Sequence, residues 1–483
     1  MSEAPAGSKA PKDRRASVAV DLGAESCRVS LLRWHGETPE ITLVHRFANG
    51  PYERNGLRWP LRNIEEGLDE GLRQCAELAP EGIRSLAVDG WAVDYVRVGE
   101  DGTPLDEPFC YRDERTIAAH EQLHQRISPE RLHAITGIQL ARINTLYQLY
   151  ADRLAGLSPG ERWLNLPEYI LSRWGAEPFS EYTNATHTGL IDMHTRAWSE
   201  EVFAAAGLDI NRAAPLVQPG TRVGTMQGPL ADLPAFKETA LLAPACHDTA
   251  SAIAGITVPG TDWAYISSGT WSLIGTLLDS PCTSPEALQE GFTNLGAVGG
   301  RICCHKGVNG MWLVKQCIDC WEDAGTIWNI EDLVAAAERE PAPTELLDVS
   351  DPELGLVGNM PARINAQRRG CGLTALDESA VSAPRIASLV FHSLAAEYAR
   401  VLAQLERLTG RSLPRIVIVG GGSRNAFLTR LTQAYTGRVV QGGGAESSTI
   451  GNLAVQLATL EAPDERRSRE FSESVCRWAA VIC

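Results

Sequence analysis

Two apolar runs, Val18-Ala19-Val20 and Val29-Ser30-Leu31-Leu32, flank the small and polar stretch Asp21 to Arg28, a pattern that predicts two strands joined by a turn. Ile64, Leu68, Leu72 and Cys75 fall on one helical face and predict a helix over 63–78. From Ile83 to Val98 an apolar strand meets the step Gly90-Trp91-Ala92 and continues as a second strand to the turn Glu100-Asp101-Gly102. Unbroken alternation there sets Asp89 and Trp91 on one face and Asp94 on the other. The region 112–212 reads as mainly helical.

The span Trp263 to Gly275 repeats the opening design, with Ser267-Ser268-Gly269-Thr270 laid out like Asp21-Leu22-Gly23-Ala24. The echo suggests an internal duplication with one hairpin per domain, both turns facing a shared cleft, against chance similarity of two hairpins. Apolar positions from Ile386 to Leu408 predict a helix that stops at Gly410. A buried-type strand, Arg415 to Val419, then leads through Gly420-Gly421-Gly422-Ser423-Arg424-Asn425 into a helix over 426–435. The small-residue run Gly442 to Asn452 opens the final predicted helix.

A chain of 483 residues exceeds one ordinary core, and two or three domains are expected. With 44% hydrophobic and 22% charged residues it is globular, except for an unstructured tail at 1–16 that has basic residues but no apolar signal segment. No run approaches the ~20 apolar residues of a membrane helix. The net charge of −16 argues against nucleic acid and anionic membrane as partners, so an anionic ligand needs local Arg, Lys, backbone N–H groups or a metal. Twelve scattered cysteines fit reduced thiols in a cytoplasmic enzyme. Cys317-x-x-Cys320 lacks a second pair at zinc spacing and reads as structural.

Three segments carry candidate chemistry. In the first turn, Asp21 at a strand tip suits a divalent cation, and Gly23, Ala24 and Ser26 let backbone N–H groups approach an anion; ordinary turn chemistry accounts for the same residues. Strand, glycine turn and helix around Gly420 to Asn425 suit a nucleotide, but Gly420-x-Gly422-x-x-Asn425 lacks the third glycine of a dinucleotide fingerprint. In Pro244 to Gly255, Asp248 stands where a helix N-cap belongs and equally where a general base could accept a hydroxyl proton. His247 reads more readily as a packed histidine, and Trp91 as core or as a sugar-stacking ring.

Together, residues 18–24, Asp89 to Asp94, Tyr111 to Thr116, Asn144 to Leu149, Tyr182 to Thr186, His247 to Ser251, Ile266 to Ser272 and Val419 to Gly422 resemble, in order, the FGGY carbohydrate kinases. The resemblance covers roughly 17–460. It implies an α/β fold of two duplicated actin-like, ribonuclease H-like domains flanking a catalytic cleft, a sugar-binding domain at 17–255 and a nucleotide-binding domain at 256–483. It implies ATP and Mg²⁺, with Ala24, Glu25, Ser26, Cys27, Arg28 and Thr270 toward the phosphates. Lys315, Gly420, Gly421 and Gly422 fall in the nucleotide site, and Asp21 on the metal. Asp248 is then the proton acceptor, and Ala92, His247, Thr249 and Gly307 lie along a ketose. L-rhamnulose, phosphorylated on its 1-hydroxyl, is the expected substrate; L-fuculose, a pentulose, or a sensor with weak turnover are the alternatives. A monomer or homodimer is expected.

The departures from the family pattern are Cys27 and Ala92 in place of glycines, Gly307 in place of an asparagine and Lys315 in place of a glutamine. Ala92 and Gly307 bear on sugar preference. Lys315 could add positive charge near the phosphates. Cys27 is strained if its backbone needs positive φ.

Overall fold

The computed structural model describes residues 10–444, 446–461 and 468–483. Of the expected tail, 1–9 lies outside the described residues; from Ala10 the chain is anchored, because Ala10 N–H and the Arg14 guanidinium both donate to the Glu37 carboxylate. Two compact units follow, one made of the chain to Pro259 with Leu277–Cys304 and Ser447–Cys483, the other of Gly260–Thr276 with His305–Glu446.

The first unit is built on β1 (Ala16–Leu22), β2 (Ser26–His35), β3 (Thr38–Ala48), β4 (Ile83–Gly90), β5 (Thr221–Thr225) and β6 (Ala240–Ala243), in the order β5-β6-β4-β1-β2-β3. β1 pairs antiparallel with β2 and parallel with β4, and β4 pairs parallel with β6. The three parallel strands therefore end at one edge. β1 is buried along its whole length because both sheet faces are covered. Its alternation sends Val18, Val20 and Leu22 into a core with Ile64, Leu68 and Leu72 of the helix Leu61–Leu78. Ala19 goes the other way, into a core with Leu453 and Leu457 of the helix Ser447–Glu461.

That last helix crosses Asp248–Ala254 at very short range. A Cβ on Gly451 would lie 1.8 Å from Ser251 O, and one on Gly255 2.4 Å from Ser447 O. The small residues of both segments are thus a packing requirement, since any side chain at these two points would force the helices apart.

The second sheet, most of which belongs to the second unit, has β7 (Trp263–Ser268), β8 (Trp271–Leu278), β9 (Ile302–Asn309), β10 (Arg415–Val419) and β11 (Val439–Gly442) in the order β9-β8-β7-β10-β11. The first unit has the same order of first hairpin, third strand and two parallel strands, β3-β2-β1-β4-β6, so the fold is a duplicated α/β architecture with two mixed sheets. The correspondence reaches single residues. Leu22 pairs with Gly90 where β4 ends, and Ser268 faces Gly420 where β10 ends: a Cβ on Gly420 would sit 2.9 Å from Ser268 O. The long helix Ala383–Thr409 forms much of this unit's core and stops at left-handed Gly410, φ 64°. One stretch from Ala380 to Thr409 does reach the length and apolarity of a membrane span, contrary to the sequence expectation, and it is mostly buried in the fold.

Several expectations change. Helices in 112–212 alternate with short strands, including Arg162–Asn165, which pairs with Tyr95–Val98 outside the main sheet. The alternation from Asp89 to Asp94 fails because β4 ends at Gly90 and Val93 has φ 73°. Asp248 is the first helical residue and His247 the N-cap, without a side-chain cap bond. Arg469–Ile482 adds a helix beyond the predicted last one. The cysteines, by contrast, agree with expectation: all twelve are free thiols, Cys317 and Cys320 included.

Candidate functional site

Three segments of the first unit, Asp21 to Arg28, Asp89 to Asp94 and Pro244 to Gly255, converge at the carboxyl ends of β1, β4 and β6, the edge where open α/β sheets carry their ligands. Two backbone bonds join them. Trp91 N–H donates to Leu22 O at 3.1 Å, and Gly90 N–H donates to Cys246 O at 2.9 Å.

Asp21 is the penultimate residue of β1, buried. Arg28 Nη2 and Ser448 Oγ both donate to its Oδ2, at 2.6 and 2.8 Å. A Cβ at Gly23 would come within 2.4 Å of Ser26 O, so the turn is too tight for any other residue. Ala24 and Ser26 are partly exposed and Glu25 is exposed, while Arg46 Nε donates to Ser26 Oγ at 3.1 Å. Cys27 is not among the residues with positive φ, so the expected strain is absent. Its side chain is core, with the thiol pushed up to about 12 by burial, which leaves only its main chain for a ligand.

In the second segment Ala92 is buried beside Val93, whose left-handed backbone is a real outlier for a β-branched residue. Thr145 Oγ1, at 2.6 Å, and Gln148 Nε2, at 3.2 Å, donate to the Val93 carbonyl and hold that geometry. Asp94 accepts from Trp59 Nε1, Trp91 Nε1, Gln148 Nε2 and Tyr111 N–H, and its burial raises it to about 6. Trp91 packs against Trp59, ring centroids 4.5 Å apart and planes tilted by 44°, and is core. Asp89 is fully buried and bonded to Asn452. Both carboxyls are thus committed inside the unit.

In the third segment Asp248 keeps a side chain 37% exposed, with His247 Nε2 3.3 Å from its Oδ1. Thr249 donates to that same oxygen through both N–H and Oγ1. Desolvation, with the Asp21 charge added, raises Asp248 to about 7. Behind it lie two buried glutamates: Glu168, raised to about 8, and Glu181, raised to about 7, each mainly by burial. His187 meets His247 edge-on at 4.2 Å.

Burial first, and then the Asp21 and Asp248 charges, raise Asp89 well above the ordinary carboxylate range, so three carboxyls crowd this edge beside the Arg28 guanidinium. Among the described residues no group of three His, Cys, Asp or Glu side chains is set to ligate a metal directly. A hydrated Mg²⁺, which keeps most of its waters and needs one or two carboxylates, fits such an edge at Asp21.

In the second unit, Gly420, Gly422 and Thr270 gather at the tip of β7. A Cβ on Gly422 would meet Ser268 Oγ at 2.0 Å, whereas Gly421 has open space. The Gly269 and Thr270 carbonyls accept from Met311 and Trp312 N–H, docking the hairpin on the start of the helix Trp312–Asp323. Lys315 stands one turn along it, ion-paired with Asp319 at 3.0 Å. Gly307 is exposed on β9, and a Cβ there would meet only Leu273, at 3.3 Å. Asn425 caps the helix after the glycine turn by accepting from Leu428 N–H at 3.0 Å.

Glu181, Thr183, Ser448 and Asn452 bond to these segments without a motif of their own in the sequence. Their signals were faint: Tyr182-Thr183-Asn184 and the run Gly442 to Asn452 stand out only as polar and small residues where a helix begins.

Residues 16–255 match the N-terminal domain and residues 264–460 the C-terminal domain of the FGGY family of carbohydrate kinases. A rhamnulokinase of Enterococcus faecalis is 35% identical over 463 residues, 94% of this chain and 91% of that one. Another, of Pectobacterium carotovorum, is 35% identical over 92% of this chain and 88% of its own length. Among solved structures, xylulose kinase from Lactobacillus acidophilus superposes with a TM-score of 0.78 at 13% identity, covering 97% of each chain, a likeness of fold.

Proposed function

The chain belongs to the FGGY family of carbohydrate kinases, and from that premise we propose that it transfers the γ-phosphoryl group of ATP to the 1-hydroxyl of L-rhamnulose. The observation that carries the substrate is the near-full-length likeness to two rhamnulokinases.

In this reading Asp248 accepts the proton of the attacking hydroxyl. A carboxylate raised to about 7 holds a proton better than an ordinary aspartate yet is ionised in good part at neutral pH, as a general base requires. Thr249 pins one carboxylate oxygen, leaving the other to meet the hydroxyl. Phosphoryl transfer passes through a loose transition state, so alignment of hydroxyl and phosphorus contributes more than base strength. Ala92, His247, Thr249 and Gly307 line the ketose. Ala24 to Arg28 and Thr270 face the phosphates, and Lys315 with Gly420, Gly421 and Gly422 the rest of the nucleotide. Asp21 would hold Mg²⁺ through water, and the ion would neutralise charge on the phosphates.

The test is ADP release measured over a panel of ketoses. L-rhamnulose should exceed L-fuculose and D-xylulose in kcat/KM by about tenfold or more, the discrimination that one or two pocket contacts supply. Equal values for L-fuculose or D-xylulose would overturn the substrate and leave the kinase chemistry standing.

A further inference from the structure

We propose that Glu181 and Thr183 are positioning residues for Asp248, acting through the main chain of Cys246 and His247. The inference rests on the reading of Asp248 as the base.

β6 ends at Ala243 and the next helix starts at Asp248, so the residues between lack ladder or helix partners for their N–H groups. Side chains from a distant segment supply them. Glu181 Oε2 accepts from Cys246 N–H at 2.9 Å, and Thr183 Oγ1 accepts from His247 N–H at 3.4 Å. The Thr183 hydroxyl itself donates to Glu181 Oε2, so both acceptors belong to one bonded pair. From the other side, Gly90 N–H fixes the Cys246 carbonyl. The backbone entering Asp248 is thereby held on both edges.

The choice of groups is costly. Glu181 is wholly buried, and a buried carboxylate is tolerated only where donors surround it. Here they do: Thr183 N–H meets Oε1, while Asn184 N–H, Cys246 N–H and the Thr183 hydroxyl meet Oε2. Glu168, equally buried, accepts Glu181 N–H at 3.2 Å and Asn184 Nδ2 at 2.9 Å, which fixes Glu181 in turn. A carboxyl that receives four donors has one orientation. Water in place of these side chains would satisfy the same amides with less precision, and misplacing a reacting group by about 1 Å costs about a hundredfold in rate.

The experiment compares Thr183→Val, Thr183→Ser, Glu181→Gln and Asp248→Asn in the full-length enzyme, by steady-state kinetics with L-rhamnulose and ATP and by thermal melts. Thr183→Val keeps the shape and loses the hydroxyl; its kcat should fall about tenfold or more with the ketose KM within about threefold. Thr183→Ser should keep kcat within about twofold. Glu181→Gln, whose NH2 must face one of the main-chain N–H groups that the carboxylate receives, should lower kcat in the same direction as Thr183→Val. In the Asp248→Asn background Thr183→Val should have no further effect on the residual rate. Wild-type kcat in Thr183→Val, equal loss in Val and Ser, or a loss confined to KM would overturn the inference while Asp248→Asn remains inactive. Should Asp248→Asn itself keep more than about a tenth of turnover, the base assignment fails instead.

Discussion

Asn452 Nδ2 donates to Asp89 Oδ2 at 2.7 Å, joining a C-terminal helix to the end of β4 across 363 residues of sequence. Gln456 extends the link, donating to Asn452 Oδ1 and to Val18 O. Asn452→Leu should therefore leave a buried carboxyl and a buried amide short of partners and lower unfolding free energy by about 1–3 kcal/mol. A urea melt that shifts by less than a few tenths of that would show the bond to be net neutral.

Asp248→Asn should remove turnover by about a hundredfold or more while sugar binding, followed by calorimetry, stays within about threefold. In the wild type, kcat should rise with pH through about 7 and level off above, because the base works deprotonated and its folded-state value is about 7. A flat kcat profile from pH 6 to 8 would argue against proton acceptance by this group.

Glu168 is raised from 4.5 to about 8 mainly by burial, so the fold accommodates its protonated form. Its stabilising contribution is complete below pH 4.5 and is lost as pH rises toward about 8. Glu168→Gln cannot ionise; relative to wild type its melting temperature should be similar near pH 5 and higher at pH 8.5. A constant difference between the two proteins across that range would contradict the prediction.

Gly421 and Gly422 are adjacent and should respond oppositely to alanine. A methyl at 421 enters open space, whereas one at 422 lies 2.5 Å from Ser268 Cβ and 2.0 Å from its Oγ. Gly421→Ala should keep the wild-type melting temperature. Gly422→Ala should cost about 1–3 kcal/mol by overpacking and, with the tip of β7 displaced, raise KM for ATP about tenfold. Equal behaviour of the two variants would remove the tip of β7 from the nucleotide site.

Much of the fold is local in origin and was readable in the chain. Paired apolar runs around Asp21 to Arg28 and Ser267 to Thr270 specify hairpins through nearest-neighbour alternation, and Gly410 terminates its helix through its own backbone freedom. The duplication followed from those hairpins. The span Asp89 to Asp94 misled because alternation presumes a continuing strand, while Thr145 and Gln148, some fifty residues on, hold Val93 in a left-handed turn.

The sequence by itself determined the strands, the glycine turns and the family, since each is written in contiguous residues, and it singled out Asp248 as the candidate base. Tertiary structure alone decided which carboxyls stay available. Asp89 and Asp94 are closed off by Asn452, Trp59, Trp91 and Gln148, and Asp248 is left partly exposed on a backbone held by Glu181 and Thr183. Burial and partner choice are sums over atoms distant in the chain, and a carboxyl's proton affinity follows from that sum.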